Sequence, residues 1–365
     1  MPRGSGRPSG AASPVPARPT IGPFEVITQL GAGGMGVVYL AKTATASLVA
    51  LKVIKSELAG DAQMRERFMA EVGNLRMISS SRVARFEGAD LNHDPPWLAV
   101  EYIGGPTLRE HIERVGVIPA HLGPILGAVL AEGLVAIHRE GVVHRDLKPH
   151  NVIMGASGPV IIDFGLARLA NRGDHITETG VAVGTPAYMP PEQVHGDTDV
   201  NEKADVYALA ATLVLALTGR HLYRTDNKYA LVQQIIDPDR EPDLSAVPGA
   251  VAEVVRPMLA HDPAARPSAA QVTAAFVEVM ERFGDQAIAV RQQLTELTYV
   301  APVLLLPSDV EDHQMSPVDH EDDGIFGPTE LVAMPSPPTG AADPTAKPHT
   351  LDVAWLMADL KRHGG

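Results

Sequence analysis

The chain has 365 residues, more than one hydrophobic core usually serves, so two lobes or a domain with tails are expected. Cysteine is absent, which excludes disulfides and thiolate metal sites and fits a reducing compartment. The net charge of −14 argues against a general polyanion binder, nucleic acid included.

Residues 1–20 are rich in Pro, Gly, Ser and Arg and read as a disordered arm; no apolar stretch follows that would make them a secretory signal. From Phe24 to Glu101 the β-branched runs "FEVITQL", "GVVYLAK", "LVALKVIK" and "WLAVEYI" predict strands, interrupted by one helix over about 61–79. From about residue 107 the pattern turns helical. "LGPILGAVLAEGLVAIH" spaces Leu122, Ile125, Leu126, Val129, Leu130 and Ile137 as a buried helix. "ADVYALAATLVLALTG" is apolar nearly all round and predicts a central helix closed by Gly219. Two more helices are expected near 250–260 and 268–284. Residues 285–365 carry 13 Asp/Glu against 4 Lys/Arg and read as an acidic, Pro-rich, largely disordered tail. It ends in the amphipathic piece "LDVAWLMADLKRH". The late apolar run "YVAPVLLLP" is far short of the ~20 residues a membrane helix needs, so a cytoplasmic chain without a span is expected.

Three stretches carry chemistry. "LGAGGMGVVYLAK" sets Gly31, Gly33 and Gly36 as GxGxxG between two strands. A dinucleotide-binding loop would lead from strand to helix instead. The array reads as a hairpin whose backbone N–H groups can close over phosphates, or as a flexible turn. Lys52 sits inside the apolar strand "LVALKVIK", where an ammonium must reach solvent or meet a carboxylate. Glu71 lies on the inward stripe of the 61–79 helix (Met64, Phe68, Leu75, Ile78) and offers such a partner. The third stretch is "VVHRDLKPHNVIM" followed by "VIIDFGLAR".

With Gly31–Gly36, Lys52, Glu71, His144-Arg145-Asp146, Asn151 and Asp163-Phe164-Gly165 in this order, residues 22–284 resemble the protein kinase superfamily. More specifically, they resemble the eukaryotic-like (Hanks-type) Ser/Thr kinases of bacteria. The resemblance implies an α+β, bilobal protein kinase fold. A small, mainly-β N-lobe with one helix would span 21–103, and a larger, mainly-α C-lobe 104–284. It implies that Asp146 orients the substrate hydroxyl and takes its proton, while Lys148, the Ser/Thr pattern, neutralises the γ-phosphate. Asn151 and Asp163 would hold Mg²⁺ (or Mn²⁺), and Lys52 would contact the α- and β-phosphates of ATP. Leu30, Val38, Ala50 and Ile153 would sandwich adenine. Glu101 and Ile103 of the hinge "VEYI" would offer backbone hydrogen bonds behind a small gatekeeper, Val100.

The stretch 173–188, "GDHITETGVAVGTPAY", becomes an activation segment under the same resemblance. Thr177 and Thr179 would be autophosphorylation sites read by a pocket of Arg145 and Arg168. Thr185 would belong to the substrate loop beside Asp146. "GTPAYMPPE" has Pro190 where the family usually has alanine. Glu192 would still pair with Arg266, and Asp205 would brace the catalytic loop. A second departure, "SSSRVARFEGAD", replaces the family's usual turn before the fourth strand. Protein substrates and a transient homodimer for phosphorylation in trans are the implied partners. Many relatives carry a membrane span and sensor after the kinase region; neither is expected here. Ser316, Thr329, Thr339 and Thr345 are further acceptors in the tail, and Leu351, Trp355 and Leu356 could present an apolar face to a groove.

Two other readings stand beside this one. A pseudokinase scaffold acting through its tails would typically lack Lys52, Asp146 or a metal ligand, and all are present. A kinase-fold enzyme for small molecules would usually lack both the Gly-rich hairpin and the GT…PE segment.

Overall fold

Alternation of small and β-branched residues across short turns builds the first layer, an antiparallel sheet of six strands. The computed structural model describes residues 18–33, 36–55, 72–163, 186–197, 200–225 and 227–302. The strands are β1 (Thr20–Ile21), β2 (Phe24–Gly33), β3 (Gly36–Lys42), β4 (Leu48–Ile54), β5 (Phe86–Asp90) and β6 (Trp97–Glu101), in the order β1-β2-β3-β4-β6-β5. One face buries Phe24, Val26, Ala41, Val49, Leu51, Trp97 and Ala99 in a small core of its own, with Phe24 edge-on to Trp97. The period of two therefore sends the alternate residues to the opposite face. There Val38 stands opposite Lys52, Lys52 opposite Leu98, and Ala50 opposite Val100.

The second layer is helical. The helices are α1 (Leu108–Arg114), α2 (Gly123–Arg139), α3 (Pro191–His195), α4 (Lys203–Thr218), α5 (Lys228–Ile236), α6 (Gly249–Met258), α7 (Ala269–Arg282) and α8 (Ala287–Thr298). Thr107 opens α1 with a reciprocal capping box to Glu110, and Ser268 opens α7 likewise with Gln271. Helix α4 is buried along almost its whole length and stops at Gly219, which takes the left-handed conformation. Helix α2 lies within the 20-residue stretch Ala120–Arg139. That stretch is apolar enough to cross a bilayer, yet it is mostly buried against other elements and serves as a core helix.

A two-stranded hairpin, β7 (Val152–Gly155) with β8 (Gly158–Ile161), sits between the layers. It connects upward through a parallel bridge between Val83 and Ile161. Here the sequence departure "SSSRVARFEGAD" finds a role. Buried Arg82 donates to Glu132 on α2 (3.3 Å) and to the Ser157 carbonyl (3.1 Å).

Two differences from the sequence reading concern helices. Helix α5, opened by Asn227, was not among the helices expected from the sequence; of its apolar residues, Leu231 and Ile235 are buried. The tail expected from residue 285 is corrected at its start: α8 packs Val290 and Leu294 into the main core and buries Thr298. Its sparse apolar stripe, every fourth residue amid polar ones, left too weak a periodicity to stand out. Of the 61–79 helix, the described end carries Val72 and Leu75 into the same core, followed by Ile78. Met64, Phe68 and Glu71 lie outside the described residues.

Candidate active site

The β2–β3 hairpin brings Gly33 opposite Gly36. A Cβ on Gly36 would overlap the Val53 carbonyl oxygen, so the backbones approach too closely there for any side chain. A Cβ on Gly31 or Gly33 would meet no atom of the described residues within 4 Å. Among these three, packing by the described residues requires a glycine at Gly36 and leaves space at Gly31 and Gly33. Leu30 is exposed, while Val38, Ala50 and Val100 are half-buried on the cleft face. Ile153, also half-buried, bridges to Thr107 from the hairpin below. In the hinge the Glu101 N–H donates to the Arg85 carbonyl (2.7 Å) and the Tyr102 N–H to Leu48 (3.3 Å).

Lys52 projects from the centre of β4 and its side chain is only 13% exposed. Its Nζ donates to Asp163 Oδ2 at 3.1 Å, across 111 positions of sequence. Burial pushes the Asp163 carboxyl up, but the Lys52 ammonium overrides it and leaves the group below the ordinary carboxylate range. Glu71, the partner expected from sequence, is outside the described residues. Asp163 itself is held at φ 58°, a left-handed conformation that costs an L-residue roughly 1–2 kcal/mol.

The catalytic-loop residues are fixed from beneath by one buried carboxylate. Asp205, at the start of α4, accepts the N–H of His144 and of Arg145, each at 2.8 Å, and the Nε2–H of His138 at 2.8 Å. Burial raises the Asp205 pKa, but these donors, His138 foremost, bring it below the ordinary value. Arg145 is the second non-glycine residue of the site with positive φ, 65°. Its carbonyl accepts from Gln193 Nε2 (2.9 Å), and its guanidinium donates to the Val200 carbonyl (3.3 Å). His144, fully buried, receives the Asp146 N–H on Nδ1 (3.3 Å) and faces the Ile162 carbonyl with Nε2 (3.1 Å). That pattern makes Nε2 the protonated nitrogen.

Asp146 is aimed by its neighbours. Asn151 Nδ2 donates to the Asp146 carbonyl (2.7 Å) and to its Oδ2 (3.1 Å), and Lys148 Nζ stands 3.1 Å from the same oxygen. The Ile162 N–H donates to the Asn151 carbonyl (2.9 Å), so the two ends of the β7–β8 hairpin carry Asn151 and Asp163 side by side. With its amide nitrogen committed to Asp146, Asn151 presents its oxygen as an acceptor. Among the described residues no group of three His, Asp or Glu side chains gathers to hold a metal alone. One carboxylate and one amide oxygen suit a hard cation that takes its other ligands from phosphate and water, and Mg²⁺ fits that donor set.

Below the cleft, Arg266 (2% exposed) holds Glu192 through two bonds, 2.6 and 2.8 Å. It also donates to the carbonyls of Ala260, Lys203 and His261 and lies over the Tyr207 ring. Pro190 is extended (ψ 161°), and Pro191 opens α3. Thr177, Thr179, Thr185 and Arg168 lie outside the described residues, as do the tail residues singled out above. The sequence reading missed His138 and Gln193, both of which act on the catalytic loop. His138, in the last turn of a mostly apolar helix, was the available signal.

The comparisons with known proteins agree with this geometry. A profile of the protein kinase domain matches residues 24–276. The chain is 41% identical over 255 residues to the serine/threonine-protein kinase AfsK of Streptomyces coelicolor, covering 70% of this chain and 31% of that protein. It is 31% identical over 354 residues to the serine/threonine-protein kinase PknD of Mycobacterium tuberculosis, covering 94% of this chain and 50% of that protein. Among solved structures, a cysteine-to-alanine mutant of the PknI kinase domain of Mycobacterium tuberculosis superposes with a TM-score of 0.57 at 25% identity, over 73% of this chain and 99% of that one. The chain spans about a third to a half of the length of these curated relatives. A six-stranded sheet over a helical layer, with a lysine, two carboxylates and an asparagine meeting between them, is the protein kinase fold, and the chain belongs to the protein kinase domain family.

Proposed function

We propose that the chain is a serine/threonine protein kinase that transfers the γ-phosphoryl group of ATP to hydroxyls of protein substrates. The observation that carries this reading is the convergence on Asp146: Asn151 fixes its carboxylate and Lys148 stands 3.1 Å from it. In phosphoryl transfer the protein mainly positions the reactants and neutralises charge. The substrate hydroxyl would sit against Asp146, which accepts its proton as the oxygen bonds to phosphorus and the bond to ADP breaks. Lys148 would balance charge on the transferred group, and Lys52 would hold the α- and β-phosphates. Asn151 and Asp163 would hold the Mg²⁺ (or Mn²⁺), which supplies charge neutralisation on the phosphates when bound. Leu30, Val38, Ala50 and Ile153 would enclose adenine, with the Glu101 carbonyl and Ile103 N–H at its edge.

Regulation by autophosphorylation is part of the proposal. Phosphate on Thr177 or Thr179 would add about −1.5 to −2 charge and recruit Arg145 and Arg168, with a second copy of the chain acting in trans. The reaction consumes ATP and so belongs to the cytoplasm. Incubating wild type and Asp146→Asn with labelled ATP and Mg²⁺, then mapping the phosphorylated residues, tests the whole reading. Labelling on Ser/Thr by wild type alone is expected; equal labelling of both would overturn it.

A further inference from the structure

The family profile ends at residue 276, yet the packed structure does not. Helix α8 lies against α2 and against both strands of the β7–β8 hairpin. Its Thr295 hydroxyl comes within 3.7 Å of where a Cβ on Gly158, at the hairpin turn, would stand. The same hairpin supports the hinge from the other side. Ile103 Cγ2 is 3.0 Å from the Cβ position of Gly155, and a side chain on Gly105 would overlap the Met154 carbonyl. The Met154 N–H in turn donates to Pro106 (2.8 Å).

After α8 the chain becomes extended at Tyr299 (ψ 126°), whose N–H closes the helix on Thr295. It then runs to the hinge. The Pro302 ring fills the space beside Gly104: a Cβ there would lie 3.0 Å from Cγ and 3.2 Å from Cδ. Tyr299 comes close enough to Tyr102 to add to the upward shift that burial gives the Tyr102 phenol. The hinge segment Tyr102–Gly104 is therefore held between the hairpin and a strap of the chain's own C-terminal extension.

We propose that Tyr299–Pro302, delivered by α8, is a positioning element of the nucleotide site that holds the hinge in register with the adenine ring. This rests on the reading of Glu101 and Ile103 as the adenine edge. The strap touches no reacting atom, so it should govern how well adenine is held rather than how fast phosphoryl transfer occurs. It also brings Pro302 to the hinge, so a partner pulling on the chain beyond it could loosen or tighten nucleotide binding from outside the cleft.

Single substitutions in the full chain test the idea. Gly104→Ala puts a methyl group against the Pro302 ring, and Pro302→Gly removes that ring. Each should raise the Kd for adenosine and the KM for ATP by roughly 3–10-fold, with kcat within about twofold, a change of about 0.7–1.4 kcal/mol. Binding of Mg²⁺-tripolyphosphate, which lacks the base, should not change. The Gly104→Ala/Pro302→Gly pair should be no weaker than either single variant, because both act through one contact. Unchanged adenosine affinity in both single variants, or strictly additive losses, would overturn the strap. A wild-type chain that binds tripolyphosphate but not adenosine would instead overturn the adenine reading, and the strap with it.

Discussion

Lys52 and Asp163 meet at 3.1 Å although one is set in the six-stranded sheet and the other follows the hairpin below it. A single ion pair therefore spans the two layers at the place where phosphates and their metal would sit. Neither residue could be replaced without leaving the other charge poorly compensated in a partly buried site. Lys52→Met should keep the fold and lower kcat by at least about 100-fold, the order associated with loss of preorganised charge in a reaction site. Steady-state kinetics with circular dichroism as the fold control checks it.

Asp146 is held by Asn151 and Lys148. Asp146→Asn should lower kcat by about 10²–10⁴-fold, the contribution expected of a positioned general base. The KM for ATP should change little. Comparing kcat and KM separately distinguishes this from a binding defect.

The three glycines of the hairpin should separate cleanly. Gly36→Ala forces a methyl group onto the Val53 carbonyl and should destabilise by roughly 1–3 kcal/mol, as overpacking does. Gly31→Ala and Gly33→Ala meet no atom of the described residues, so melting temperatures should stay near wild type while the KM for ATP rises. Thermal melts beside ATP titrations read both effects.

Arg266 is buried and committed to five acceptors, two of them on Glu192. Arg266→Ala leaves a nearly buried carboxylate unpaired and should cost about 3–5 kcal/mol. Arg266→Lys keeps the charge but cannot reproduce the planar fork, and it should recover only part of that loss. Urea denaturation of the three proteins measures the difference.

His221 lies edge-on to Tyr188, and burial, aided by the Arg109 guanidinium, lowers its pKa to about 4. Its unfolded value is 6.5, so the unfolded chain binds the extra proton first as pH falls. The stability contribution is complete above about pH 6.5 and is lost progressively between there and pH 4, on the order of 2 kcal/mol by pH 5. His221→Gln should flatten that acid limb. Urea midpoints at pH 7.5 and 5 for both proteins show it.

The order of the motifs, the two long core helices and the family were legible in the amino-acid sequence. Periodicity marks buried helices directly, and His144-Arg145-Asp146, Asn151 and Asp163 carry the resemblance to the protein kinase family. The extent of α4 followed from its nearly continuous apolar run and from Gly219. The Glu192–Arg266 pair and the bracing by Asp205 were legible through the family resemblance, but the partner that Lys52 finds was not, because an ion pair across layers depends on distances that no local pattern encodes. Glu71 was the nearest carboxylate by sequence argument, whereas the described partner of Lys52 is Asp163, brought there by the hairpin. Which glycine is demanded by packing, and that Asp205 gathers His138, His144 and Arg145, likewise emerged only when the backbones were in place. The start of the tail changed for the same reason. The polar stripe of α8 looked like a solvated linker until α2 and the hairpin offered a surface for Val290 and Leu294, and burial there carries the chain on to the hinge.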